Sequence, residues 1–345
     1  MFGHDLIVIG SSAGGIKALS TILSKLPSDI QAAIFIVQHL GPNSPKVLPR
    51  ILEDVSSLSA SHPKDGEKFH FGKIYIAEPD YHLLIERERV RVVRGPQENR
   101  FRPAIDALFR SAARNYGPRV SGVLLTGNLD DGTVGLQAIK KRGGVTIVQD
   151  PKESDYPSMP LNAMKYVSVD HCLALSEIAP MLLRLIGEPS AKEEEYEVPA
   201  EMEFEAKIAE QELNTKQFLE KVEEIGTRTS YTCPECNGSI WQIGAEDPLR
   251  FRCHVGHSFT EEPFLIEQTA FIEKTLWSAI KALEEKVTLT RQIAQRLNVK
   301  NQAKNAEKYE KFADNVDKEV GLLRQLILHG SATKRTVGFD DPDEE

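Results

Sequence analysis

The sequence predicts an α/β fold: a doubly wound, mainly parallel sheet of the Rossmann-like kind with an inserted β-hairpin, then a small cysteine-bearing module and a helical hairpin. Three observations carry this. Short apolar runs rich in Val and Ile alternate with helical patterns over roughly residues 1–185. Three cysteines crowd into residues 233–253, and two long stretches beyond position 263 place apolar residues at helical spacing.

The strands follow from their runs. Asp5–Gly10, Ala32–Gln38, Lys73–Ala77, Val120–Thr126 and Gly144–Gln149 are apolar, several with no polar alternation. A strand apolar on both sides must be covered on both sides, as in a parallel sheet between helix layers. Leu83–Ile85 and Val90–Val93 flank the charged Glu86–Arg89 and predict the hairpin. Helices are expected over Gly15–Lys25, Ala104–Tyr116 and Thr133–Arg142. From Gly187 to Ala200 the composition turns to Gly, Pro, Ser and Glu, which reads as a linker, and one helical stretch follows over Glu201–Ile225. Phe264–Leu297, with Leu276, Ile280, Leu283 and Val287 in step, and Lys304–Leu328 predict an antiparallel helix pair broken at Asn298–Asn301. The expected organisation is an α/β domain over 1–186, linker and helix over 187–229, the cysteine module over 230–262, the helical hairpin over 263–330, and a disordered acidic tail over 331–345.

At 345 residues the chain exceeds one typical core. Hydrophobic residues at 41% and charged residues at 27% describe a globular chain, not a disordered one. A formal net charge of −9 argues against nucleic acid as partner, because phosphate binding needs a basic face. The N-terminus has neither a basic segment nor a small-residue cleavage site, so no signal peptide is expected. The longest apolar runs fall far short of the ~20 residues a membrane span needs. The expectation is a cytoplasmic chain without membrane insertion.

The first strand runs into Gly10-Ser11-Ser12-Ala13-Gly14-Gly15 and a helix. Small residues round Ser12 allow a tight strand-to-helix elbow that lifts its hydroxyl clear, above a helix N-terminus able to stabilise a developing oxyanion. A glycine-rich turn that binds a phosphate or nucleotide fits the same residues, although Ser12 stands where the second glycine of G-x-G-x-x-G belongs. A serine nucleophile needs a base, and the base an orienting carboxylate. His39 ends the second strand, and Asp130 and Asp131 follow the strand Val120–Thr126. In a parallel sheet these ends share one edge with the Ser12 turn. Spacing leaves Asp130 and Asp131 as alternatives.

Together with Tyr75-Ile76-Ala77, Asn99–Phe109, Leu125-Thr126-Gly127 and Asp130-Asp131-Gly132, these segments resemble the chemotaxis protein-glutamate methylesterase (CheB) family across residues 1–185. The resemblance implies a serine carboxylesterase with Ser12 as nucleophile, His39 as general base and Asp131 as orienting carboxylate. The reaction implied is hydrolysis of glutamate methyl esters, and deamidation of glutamine, on a methyl-accepting chemoreceptor or related signalling protein. It implies no catalytic cofactor. Ala13 and Asn128 fall at the oxyanion and active-site loop, where Asn128 replaces the family's usual Met. Asn99, Arg100 and Arg102 are candidates for gripping an acidic substrate helix, with helix capping an equal alternative, and Met159 lies in a loop near the site. The family's usual receiver domain is not expected in this chain, so control by phosphorylation of the same chain is not expected, and a separate response regulator or kinase is a candidate partner. The alternative reading is a non-catalytic signalling scaffold that keeps the esterase fold.

Cys233-Pro234-Glu235-Cys236 and Cys253-His254-Val255-Gly256-His257 supply a CxxC knuckle and a C-x-x-x-H pair, the soft donor set of a structural zinc. His257 is the better fourth ligand, since adjacent Cys253 and His254 seldom point at one ion. The module is therefore expected to be zinc-ribbon-like, with a protein-docking rather than catalytic role. It is similar to the C-terminal extension of stand-alone members of the same family.

Overall fold

The computed structural model describes residues 3–330. The expected acidic tail over 331–345 lies outside them. The chain divides into two compact units, up to Pro263 and from Phe264.

In chain order the first strands are β1 (Leu6–Ser11), β2 (Ala33–Gln38), β3 (Ser59–Ser61), β4 (Lys73–Ile76), β5 (His82–Glu86), β6 (Arg89–Val93), β7 (Val120–Leu124), β8 (Val145–Gln149) and β9 (His171–Leu173). β5 and β6 pair with each other as an antiparallel hairpin. The remaining strands form one 7-stranded sheet of order β3-β4-β2-β1-β7-β8-β9, every pairing parallel. The short edges β3 and β9 carry no apolar run and lie beyond the predicted set.

The helices of this part are α1 (Gly15–Leu23), α2 (Leu48–Glu53), α3 (Ile105–Tyr116), α4 (Thr133–Lys141), α5 (Ser158–Tyr166) and α6 (Leu175–Gly187). They cover both faces because strand side chains alternate. Ile7, Ile9, Ile34 and Ile36 join one core with Leu19 and Ile22 of α1 and Ile178 and Leu182 of α6. Leu6, Val8, Phe35 and Val37 join the other with Leu108 and Phe109 of α3, Leu136 and Ile139 of α4, and the hairpin. Each fully buried Leu, Ile or Phe contributes about 1.5–3 kcal/mol, so two layers hold the sheet. The chain leaves β1 in one direction through β2 and returns to β1's other side as β7. That reversal is the topological switch point, where open α/β sheets place their sites. There α3 lies flush on β1: a Cβ on Gly10 would sit 2.3 Å from Ile105 Cγ2.

The predicted single helix over Glu201–Ile225 is two, α7 (Ala200–Ala209) and α8 (Thr215–Ile225). The break falls at Gln211, whose φ is +60°, and Asn214 then caps α8 by accepting from Gln217 N at 3.0 Å. Arg114 of α3 ties α7 down through Glu203 at 2.6 Å and Glu210 at 2.7 Å. Strands β10 (Gly226–Thr232), β11 (Ser239–Ile243), β12 (Arg250–Cys253) and β13 (Ser258–Thr260) form an antiparallel sheet. In the second unit α9 (Glu261–Val299) turns back as α10 (Ala303–His329), with Leu283 and Val287 packed on Ala313 and Val316. Among the described residues no helix is long and apolar enough to cross a membrane.

Candidate active site and metal centre

His39 and Asp131 meet at the switch point, and Ser12 follows the neighbouring strand end. Ser12 follows β1 in the elbow, where its N–H donates to Thr126 O at 3.0 Å and its carbonyl accepts from Gln38 Nε2 at 2.8 Å. α1 starts only because Gly14 takes φ +74°, a left-handed conformation glycine adopts without strain. Gly127 is required too, since a Cβ there would lie 2.7 Å from Ser12 Cβ and as close to Met159. One strand over, His39 N donates to Ser11 O at 3.0 Å, which sets the imidazole beside the elbow.

His39 Nε2 meets Asp131 Oδ2 at 2.8 Å, and both side chains are shut from solvent. Nε2 therefore carries the hydrogen in the neutral ring, and Nδ1 is left buried without a hydrogen bond. Nδ1 is the nitrogen free to take a proton. No hydrogen bond joins it to the Ser12 hydroxyl. Phe101 stacks on the imidazole at 3.6 Å between ring centroids and 7° between planes, fixing its tilt.

Four donors converge on Asp131. Besides His39 these are Ile105 N at 2.7 Å and Asp106 N at 3.2 Å, both from the first turn of α3, and Asn99 Nδ2 at 3.5 Å. A helix N-terminus thus holds the carboxylate. Asp106 lies beside it and accepts from Gly132 N at 2.9 Å, Gly135 N at 2.6 Å and Asn99 Nδ2 at 2.9 Å. Burial, and after it the Asp131 carboxylate, push Asp106 well above the ordinary carboxylate range. Asp130, the alternative that spacing left open, does not meet His39. It is buried with Oδ1 unpartnered, and burial pushes its acid up to about 7.

The other candidates lie round this centre. Ala13 is half-buried directly after Ser12, and Asn128 is exposed at the rim. Met159 is fully buried against Gly127 and is core. Arg100 is exposed, whereas the Arg102 guanidinium is taken up by Asp80 at 2.8 Å and Gly95 O at 2.7 Å. Phe101 and Asp106 lie within Asn99–Phe109, and the sequence carries no separate signal for either role.

In the module, one ligand atom from each of Cys233, Cys236, Cys253 and His257 lies within 4.8 Å of all the others. Two hydrogen-bonded knuckles, Cys233 N to Gly238 O at 2.9 Å and Cys253 N to His257 O at 3.0 Å, turn the side chains inward. His257 presents Nδ1 to Cys253 Sγ at 3.5 Å, while Glu235 engages its Nε2 at 3.2 Å. A carboxylate behind a ligating imidazole is the usual support of such a ligand. His254 is outside the cluster and packs over Gly238, where a Cβ would meet its ring at 2.1 Å.

Residues 7–182 match the family model described as CheB methylesterase. A putative protein-glutamate methylesterase/protein-glutamine glutaminase of Leptospira interrogans is 42% identical over 183 residues, 53% of this chain and 95% of that protein. A protein-glutamate methylesterase/protein-glutamine glutaminase of Methanosarcina mazei is 34% identical over 191 residues, 53% of this chain and 52% of its own. The crystal structure of the Thermotoga maritima CheB methylesterase catalytic domain aligns with TM-score 0.51 and 33% identity, covering 53% of this chain and 98% of that one. With half its length matched in order, and with the elbow, imidazole and carboxylate at one sheet edge, the chain belongs to the CheB methylesterase family.

Proposed function

We propose that the chain is a protein-glutamate methylesterase that hydrolyses glutamate methyl esters, and deamidates glutamine, on methyl-accepting chemoreceptors or related signalling proteins. The observation that carries this is the buried His39–Asp131 pair at 2.8 Å with Nδ1 unbonded beside the Ser12 elbow. Ser12 Oγ attacks the ester carbonyl as His39 Nδ1 takes its proton, and the charge on the new imidazolium is met by Asp131. The N–H of Ala13, in the turn between β1 and α1, would serve the developing oxyanion, with the Asn128 amide available at the rim. His39 then returns the proton to the leaving methoxide. Water, deprotonated by the same nitrogen, releases the glutamate and regenerates Ser12. An amide passes through a related tetrahedral intermediate, so glutamine would yield ammonia by the same steps.

Ser12→Ala is expected to fold and to abolish methanol release from methylated receptor. Retained activity would overturn the triad. The Cys233, Cys236, Cys253 and His257 set fits Zn²⁺, three thiolates and an imidazole being the donors of a closed structural site. The ion would supply folding energy to a segment with little core. Metal analysis should give one zinc per chain, reduced in Cys236→Ser. Thiolate ligands persist in a reducing compartment, which agrees with work in the cytoplasm.

A further inference from the structure

We infer that Asn99 is a positioning residue for the Asp131 carboxylate and that β13, the last strand of the Cys/His module, holds Asn99 in place. The inference rests on the esterase reading above and extends the site into a part of the chain beyond the family match, which ends at residue 182.

The Asn99 side chain is used at both ends. Its Oδ1 accepts from Thr260 N at 2.9 Å and from Thr260 Oγ1 at 3.4 Å. With the oxygen so oriented, Nδ2 can only face the carboxylates, donating to Asp106 at 2.9 Å and reaching Asp131 at 3.5 Å. An amide offers an acceptor to one neighbour and two N–H donors to the other. The backbone is held as well: Asn99 N donates to Ser258 O at 2.8 Å, and Ser258 N donates to Gln97 O at 3.2 Å. That pairing is needed, because Asn99 and Arg100 sit at φ +48° and +74°, where a non-glycine residue is strained.

The same loop touches the base from a second side. Phe101, two residues on, is the ring stacked on His39. At the other end of the loop Glu98 is buried between Arg110 of α3 at 2.7 Å and Arg252 of β12 at 3.2 Å. Arg252 also pairs with Glu205 of α7 at 3.2 Å. The module is thus seated on the catalytic part by a strand pairing and a buried ion network, and the loop between them presents Asn99 to Asp131 and Phe101 to His39.

The test uses the full chain and two readouts: methanol release from methylated receptor, and the rate at which a fluorophosphonate labels Ser12. Asn99→Gly deletes the amide and keeps a residue at ease with positive φ. It should lower kcat and the labelling rate together by about tenfold to a hundredfold, with KM within about twofold, the size expected when a reacting group loses its aim. Thr260→Pro removes the N–H that orients Asn99 and should reproduce the loss, whereas Thr260→Val, which keeps the N–H, should lose much less. Unchanged labelling in Asn99→Gly, or a raised KM with kcat intact, would overturn the inference; the latter would make Asn99 a substrate contact. Equal rates in Thr260→Pro and Thr260→Val would overturn the part assigned to β13. If Asn99→Gly melts out, the Thr260 pair decides alone. A wild-type chain that labels at Ser12 but releases no methanol would defeat the substrate reading, and the labelling rates would still decide on Asn99.

Discussion

Two clusters of buried charge lie side by side in the first unit, and they are balanced by different means. Round Glu98 and Glu205, each carboxylate faces guanidinium groups, from Arg110, Arg250 and Arg252. Burial works against ionisation there, but Arg110 and Arg252 hold Glu98 down at about 2. Round Asp131 the donors are backbone N–H groups, one amide and one imidazole, and no guanidinium is bonded to Asp106, Asp130 or Asp131 among the described residues. Burial there, without such a partner, pushes both Asp106 and Asp130 above the ordinary carboxylate range. The difference separates holding from working. A guanidinium beside Asp131 would cancel the charge that the transient imidazolium needs, whereas permanent pairing suits a lock between α3, α7 and β12.

The largest effect expected from breaking this contrast is at Asp131. Asp131→Asn should cost about 10⁴-fold in kcat, because an amide that donates would turn the imidazole to the wrong tautomer. Steady-state methanol release measures it; a loss below about tenfold would remove Asp131 from the mechanism. In the ion network, Arg252→Met leaves Glu98 and Glu205 buried with a partner missing. It should lower unfolding free energy by about 3–5 kcal/mol in a urea titration, and a variant as stable as wild type would show the lock is not one.

The smallest effect is one of pH. Asp130 has a folded value of about 7 against an ordinary 3.8, so between these limits the folded state binds a proton that the unfolded state releases. Its contribution is therefore fully present below pH 3.8 and lost as pH rises through about 7. Glu98 has the opposite sign: its contribution is present above 4.5 and lost as pH falls through about 2. Asp130→Asn should accordingly flatten the stability profile between about pH 4 and 7, by a few kcal/mol at most, and leave the acid limb alone. Melting temperatures across that window check the sign; a wild-type profile that rises there relative to the variant would refute it.

Much of the α/β part was legible because its signal is local. Runs such as Ile7–Ile9 and Ile34–Val37 are apolar on both faces, and only a sheet between two helix layers buries both. β3 and β9 were not legible, since three-residue edges such as Ser59–Ser61 have too little burial to leave a pattern. The elbow, the imidazole and an acidic turn could be put on one edge by strand logic, but Asp130 and Asp131 differ only in which way one turn points them. That choice is made by the N–H groups of Ile105 and Asp106, on a helix remote in sequence. The bond from Thr260 to Asn99 is remoter still, and neither residue carries a hint of the other. His254 and His257 could be ranked by neighbour geometry alone, whereas the role of Glu235 behind His257 shows only in space.

The flush seat of Ile105 on Gly10 has a mechanical consequence. Through Gly10 the strand leads in two residues to the nucleophile, and from Ile105 the main-chain N–H reaches the acid. With only the Ile105 side chain between strand and helix, sliding of helix over sheet is resisted where it would change the spacing of those two groups. The proposed nucleophile and acid are thus referenced to one contact, and even a methyl at position 10, meeting Ile105 at 2.3 Å, would displace both.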